Sequence, residues 1–193
     1  RPATRSASAV ALGEVRAYSM DRQTLAGIWT DYPVVHKSLL KNYRLRHLRN
    51  LVAHAPFMQQ IPEAHRRGVA MLFRVREAPA GSVLIAPEDE VSGIFGVLGG
   101  RVRVEARAPS GELRQMAILG PGSLFGYGQS LFDHPEPFRC VTNGRASILR
   151  MNETTMNGLL EAHPPLAEYL RATMRRRIDL AAAIVEAQNE FHG

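Results

Sequence analysis

Gly99-Gly100-Arg101-Val102-Arg103-Val104-Glu105-Ala106-Arg107-Ala108-Pro109-Ser110-Gly111 is the stretch that decides the fold class. Between its two turn signals, Val102, Val104, Ala106 and Ala108 alternate with Arg101, Arg103, Glu105 and Arg107. A period of two predicts a strand with one apolar and one wet face. Upstream, Phe73 and Val75 alternate with Arg74 and Arg76, and Pro79-Ala80-Gly81 turns the chain into Val83 and Ile85. A polar break, Pro87-Glu88-Asp89-Glu90, separates these from the apolar run Ile94 to Leu98. Downstream, Leu113 to Leu119 forms another strand candidate and ends at the Pro121-Gly122 turn. Short strands with turn signals at this spacing predict an antiparallel sandwich or barrel.

Helices are expected on both sides. Leu40, Tyr43, His47, Leu48 and Leu51 recur at helical spacing before the strands; Leu166, Leu170, Met174, Ile178, Ala182 and Val185 do so after them. Asn152 is a candidate N-cap for a helix starting near Glu153, and Pro164-Pro165 breaks that helix and starts the next. The composition is that of a globular chain: 193 residues, 45% hydrophobic. No apolar run is long enough to span a bilayer, and no leader pattern is visible. The single Cys140 allows no internal disulfide, which fits a reducing compartment and a cytoplasmic location. The charge of +6 and pI of about 10.1 come from dispersed arginines and read as an ordinary wet surface. The chain starts at Arg1 and is read as a fragment of a longer protein.

An internal repeat organises the whole. A shift of 131 positions lays Val10 on Val141, Gly13 on Gly144, Met20 on Met151, Gly27 on Gly158, Pro33 on Pro164 and Leu39 on Leu170, without a gap. Arg44 and Arg46 fall on Arg175 and Arg177, and Asp21, Leu25 and Ile28 meet Asn152, Met156 and Leu159. Residues 5–46 therefore read as the last strand and two helices of a preceding copy. The expected domains are 1–50, the tail of that copy, and 51–193, a complete one.

The chemistry is expected in Pro121-Gly122-Ser123-Leu124-Phe125-Gly126-Tyr127-Gly128-Gln129-Ser130-Leu131-Phe132. Glycines permit tight turns and close backbone approach, and a short helix from Gly128 would aim its N–H groups at an anion. The order of strands, Gly-Gly and Pro-Gly turns, Phe-Gly, short helix, strand and two helices over residues 55–185 resembles a cyclic-nucleotide-binding domain. Two copies in tandem resemble the regulatory subunits of cyclic-nucleotide-dependent protein kinases. The resemblance implies an eight-stranded, mainly β fold: a jelly-roll-like antiparallel β-roll of the double-stranded β-helix type, with N- and C-terminal helices. In that family an Arg pairs with the cyclic phosphate through charge-assisted bonds. A Glu two residues after the cassette Phe accepts a bond from the ribose. Arg5-Ser6-Ala7-Ser8 looks like the end of such a cassette in the preceding copy, with Arg5, Ala7 and Ser8 as its remnant.

The complete copy departs from the pattern at both polar anchors. Tyr127 stands where the family has Glu, and the repeat lays Arg5 on Glu136, or on Pro137 with a one-residue shift. Neither pairs with a phosphate, and a carboxylate repels one. Arg139, laid on Ser8, is the candidate substitute. The candidate ligand-binding set is Phe125, Gly126, Tyr127, Gly128, Gln129, Ser130, Glu136, Pro137, Phe138, Arg139, Cys140 and Tyr169, the last as a cover for a base.

No catalytic constellation and no metal-ligand spacing appear among the seven histidines and one cysteine, so no enzyme activity, metal or cofactor is expected. The expected function is a regulatory, ligand-sensing module with a degenerate cassette that does not bind cAMP or cGMP in the usual way. The alternatives are a sensor retuned for nucleosides and the cytosolic gate of an ion channel or exchanger. The partner classes are a cyclic nucleotide or nucleoside, and a protein effector that is kinase-like or part of the same chain. No helix-turn-helix follows the last helix, so DNA is not an expected partner, nor is direct membrane contact.

Overall fold

A computed structural model describes residues 10–86, 89, 93–108, 111–132 and 137–189. The chain divides into two compact units, Arg1–Tyr43 and Arg44–Gly193. The first unit holds helix α1 (Arg22–Asp31) and the start of α2 (Pro33–His54). Among the described residues at its head, Val10–Met20 is irregular and forms no strand. A strand is stable only when neighbours take up its backbone donors and acceptors, and the described part of this unit offers none.

In the second unit, the end of α2 leads through a 3₁₀ turn (Met58–Gln60) to α3 (Glu63–Met71). Eight strands follow: β1 (Arg74–Ala78), β2 (Val83–Ile85), β3 (Ile94–Gly99), β4 (Val102–Arg107), β5 (Leu113–Leu119), β6 (Leu124–Phe125), β7 (Arg139–Thr142) and β8 (Ala146–Met151). The five-residue helix α4 (Gly128–Phe132) lies between β6 and β7, and α5 (Glu153–Ala162) and α6 (Pro164–Asn189) close the unit. The strands form two four-stranded sheets, ordered β1-β8-β3-β6 and β2-β7-β4-β5. All pairings are antiparallel. The expected β-roll is therefore what the alternating segments build.

The core is continuous. Val97, Val102, Ile148 and Leu149 come from the two sheets, and Phe57, Met58, Met156, Leu166, Leu170 and Met174 from the helical layer. Local chemistry sets the helix ends as the sequence predicts. The Asn152 side chain accepts from the Thr155 N–H at 2.8 Å and caps α5. Proline at the first position of α6 has no N–H to leave unsatisfied.

Candidate functional site

The cassette is positioned by the turn that precedes it. Gly122 N–H donates to the Val97 carbonyl and Val97 N–H to the Ser123 carbonyl, both at 2.9 Å, which registers β6 on β3. Phe125 lies opposite Phe95, and their rings stack at 5.6 Å. Gly126 then turns the chain with φ of +73°, and a Cβ there would stand 2.6 Å from Ile85 Cδ1 and 2.9 Å from Phe95 Cδ2. The left-handed backbone favours glycine, and a larger residue would have to displace the Ile85 and Phe95 side chains.

The candidate residues differ in burial. Phe125, Tyr127, Phe138 and Cys140 all belong to the buried core. Tyr127, in the ribose-binding position of the family pattern, is fully buried and faces α6. It lines a cavity of about 150 Å³ with Gly122, Leu124, Tyr169, Thr173 and Arg177. Tyr169 is half-buried and packs against the core, and Gly128 opens α4 as expected. Pro137 is exposed. Glu136 lies outside the described residues, as do Arg5, Ala7 and Ser8, and the side chains of Gln129 and Ser130 are not described.

Arg139 faces away from the core. In β7 it is registered against Glu105, while the next residue, Cys140, is registered against Val104 and points into the core. Successive strand residues face opposite sides, so Arg139 lies on the outer face of the sheet. There its Nη1 donates to Glu105 Oε2 at 2.8 Å. Arg103 Nε donates to the other carboxylate oxygen. Arg139, the candidate substitute anchor, is thus engaged with Glu105 in this structure.

Glu105 itself departs from the alternating pattern. Alternation places it on the wet face, yet it is only 7% exposed, because Arg103 and Arg139 cover it. Burial works to raise its pKa. The hydrogen bonds and charges of Arg139 and Arg103 outweigh burial and hold the carboxyl below the ordinary value of 4.5.

The cassette is also tied to the last helix. Arg177 Nη2, on α6, donates to the Leu124 carbonyl on β6 at 2.9 Å. The sequence offered one signal for this residue, its match to Arg46 in the repeat. Nothing in the sequence marked the Arg103–Glu105–Arg139 cluster, which exists only through the pairing of β4 with β7. Trp29 is half-buried and stacked on His36 at 4.7 Å. Among the described residues there is no cluster of three or more metal-ligating side chains, and no helix is long and apolar enough to cross a membrane.

Residues 75–163, a little under half of the chain, match the family model described as the cyclic nucleotide-binding domain. The chain is 22% identical over 129 residues to a CRP-like cAMP-activated global transcriptional regulator of Mycobacterium tuberculosis, in two strains. The match takes in 66% of this chain and 57% of the relative's length. Among solved structures, the catabolite activator protein of Thermus thermophilus superposes with a TM-score of 0.60 at 23% identity, covering 69% of this chain and 63% of that one. The regulatory subunit of a cAMP-independent protein kinase A from Trypanosoma cruzi, bound to guanosine, gives a TM-score of 0.62 at 16% identity, covering 75% and 52%.

Proposed function

We propose that the second unit is the regulatory, ligand-sensing module of a signalling protein, and that its cassette has lost the anchor for a cyclic phosphate. The observation that carries this reading is the engagement of Arg139 with Glu105 on the outer face of the sheet. Replacing the lost anchor from there would strip Glu105, 7% exposed, of one of its two cationic partners. Breaking a buried charge pair is unfavourable, and the gain from a new phosphate contact would be spent against it. Tyr127 in place of a ribose-binding carboxylate supports the same conclusion, as does Glu136 in place of the family's Arg.

The size of the effect follows. Loss of one charge-assisted bond costs roughly 1.5–3 kcal/mol, which lowers affinity by about one to two orders of magnitude. The relay is the pairing of cassette and helix. Arg177 joins β6 to α6, so whatever shifts the cassette acts on α6 through it. The output is a contact made or released by the C-terminal helices, where Arg171, Arg175 and Arg176 are exposed.

Calorimetric titration with cAMP, cGMP, adenosine, guanosine and inosine tests the reading. Cyclic nucleotides are expected to give no heat in the micromolar range. A second reading is a module retuned for an uncharged nucleoside. Glu136 favours it, being a group that accepts a bond from a ribose and repels a phosphate, and the guanosine-bound structure has the same fold. Binding of a nucleoside alone selects it. The bacterial relative is a transcriptional regulator, and this chain spans 57% of its length, so DNA contact by the whole protein is tested separately by a mobility shift on the parent polypeptide.

A further inference from the structure

The internal repeat of the sequence reappears in the structure, in the geometry of the helix ends. Helix α1 is Arg22–Asp31 and α5 is Glu153–Ala162, each of 10 residues and separated by the shift of 131. Asp21 caps α1 by accepting from Thr24 N–H at 2.7 Å, and Asn152 caps α5 by accepting from Thr155 N–H at 2.8 Å. At the other end, Tyr32 N–H donates to the Ile28 carbonyl as His163 N–H does to that of Leu159. The two C-caps share one backbone conformation, φ −127°, ψ 74° and φ −135°, ψ 73°. A proline opens the next helix in both cases.

What differs is burial. Met20 is 56% exposed, and its counterpart Met151 is 2% exposed. Leu39 is 45% exposed against 1% for Leu170, and Tyr43 is 50% exposed against 1% for Met174. The counterparts are core residues packed on a β-roll. The first unit thus presents, in order and at matching positions, the apolar side chains with which a helix pair covers a roll. Val15–Met20 are the counterparts of β8, a strand formed between β1 and β3, and they lack such neighbours.

We infer that the apolar side of residues 15–43 docks onto a second β-roll, encoded in the same polypeptide N-terminal to Arg1, so that the polypeptide carries two rolls in tandem. On the roll described above, the corresponding surface is filled by its own α5 and α6, with Leu166, Leu170 and Met174 buried. The repeat also names one contact. Arg46 is the counterpart of Arg177, so its guanidinium would donate to the carbonyl that corresponds to Leu124 in the preceding roll.

Cysteine labelling tests the docking. Met20→Cys, Leu39→Cys and Lys41→Cys are placed in the 193-residue chain and in the full parent polypeptide, and reaction with a maleimide is timed. Cys140 is buried and adds little background. Lys41 is exposed, as is its counterpart Ala172, and serves as the control. In the 193-residue chain all three positions react quickly. In the parent, positions 20 and 39 react about a hundredfold more slowly, as expected for side chains reached only by local opening, while position 41 is unchanged. Hydrogen exchange over residues 22–43 of the unsubstituted proteins gives the same contrast without any substitution. Equal rates at positions 20 and 41 in the parent overturn the proposal. So does protection in the 193-residue chain that grows with its concentration, which would assign the surface to a second copy of this chain. Neither readout involves a ligand, so this inference stands or falls apart from the functional one.

Discussion

Helices α1 and α5 have the same length, the same capping geometry and the same proline after them, yet one sits among exposed apolar residues and the other on a core. The difference separates two sources of helical structure. Caps and propensity act within a few residues and are present in both. Burial requires a partner surface, and most helical stability in proteins comes from burial. The first unit keeps the local half of the code; the second has both halves.

Truncation of the counterpart leucines gives the largest expected contrast. Leu170→Ala is expected to cost about 2–5 kcal/mol by urea denaturation, since it opens a cavity in the core. Leu39→Ala in the same 193-residue chain is expected to stay within about 0.5 kcal/mol. Equal losses would mean that the first unit is packed after all.

A second contrast lies between two turn glycines. Gly126→Ala meets both a left-handed backbone and the Ile85 and Phe95 side chains, and is expected to cost about 2–4 kcal/mol. Gly111 has φ of +86° with open space around its Cβ position. Gly111→Ala is expected to cost only the backbone strain, about 1–2 kcal/mol. If the two cost the same, the close packing around the cassette is not as described.

The carboxylates give the third contrast, through pH. Glu105 is held below its ordinary 4.5 by Arg139 and Arg103 against the opposing effect of burial. Its contribution to stability is complete above that value and is lost as pH falls through the lowered one. Glu105→Gln is expected to flatten this part of the acid limb and to cost about 1–2 kcal/mol at neutral pH. An unchanged acid limb would sink the assignment. Asp21, lowered from 3.8 chiefly by the Thr24 backbone hydrogen bond, titrates in the same direction, whereas Asn152 does not titrate. Acidification below that range should fray α1 and leave the α5 cap intact, read by hydrogen exchange of the two segments.

Much of the fold is legible in the sequence because its signals are local. Alternation around Val102 and Val104 gave β4, the Pro-Gly and Gly-Gly turns gave the strand breaks, and Asn152 and Pro164 gave the ends of α5 and α6. Helix α3 carried no such mark: Pro62 at its start offers no side-chain cap, and Gly68 interrupts its pattern. The candidate site is legible only in part. The Phe125-Gly126 turn and the start of α4 come from spacing. The outward direction of Arg139 and the burial of Glu105 depend on the register of β7 against β4, a pairing across 34 positions that no local pattern encodes.

The central claim is that this cassette lacks a phosphate anchor, and restoring one tests it directly. Titration of cAMP and cGMP is run on the unaltered chain and on Glu136→Arg. The account predicts no heat from the unaltered chain in the micromolar range and measurable binding in the variant, the return of a charge-assisted bond worth about tenfold or more in affinity. Sub-micromolar binding by the unaltered chain that disappears in Arg139→Ala would contradict it, because Arg139 would then be the anchor and not the partner of Glu105.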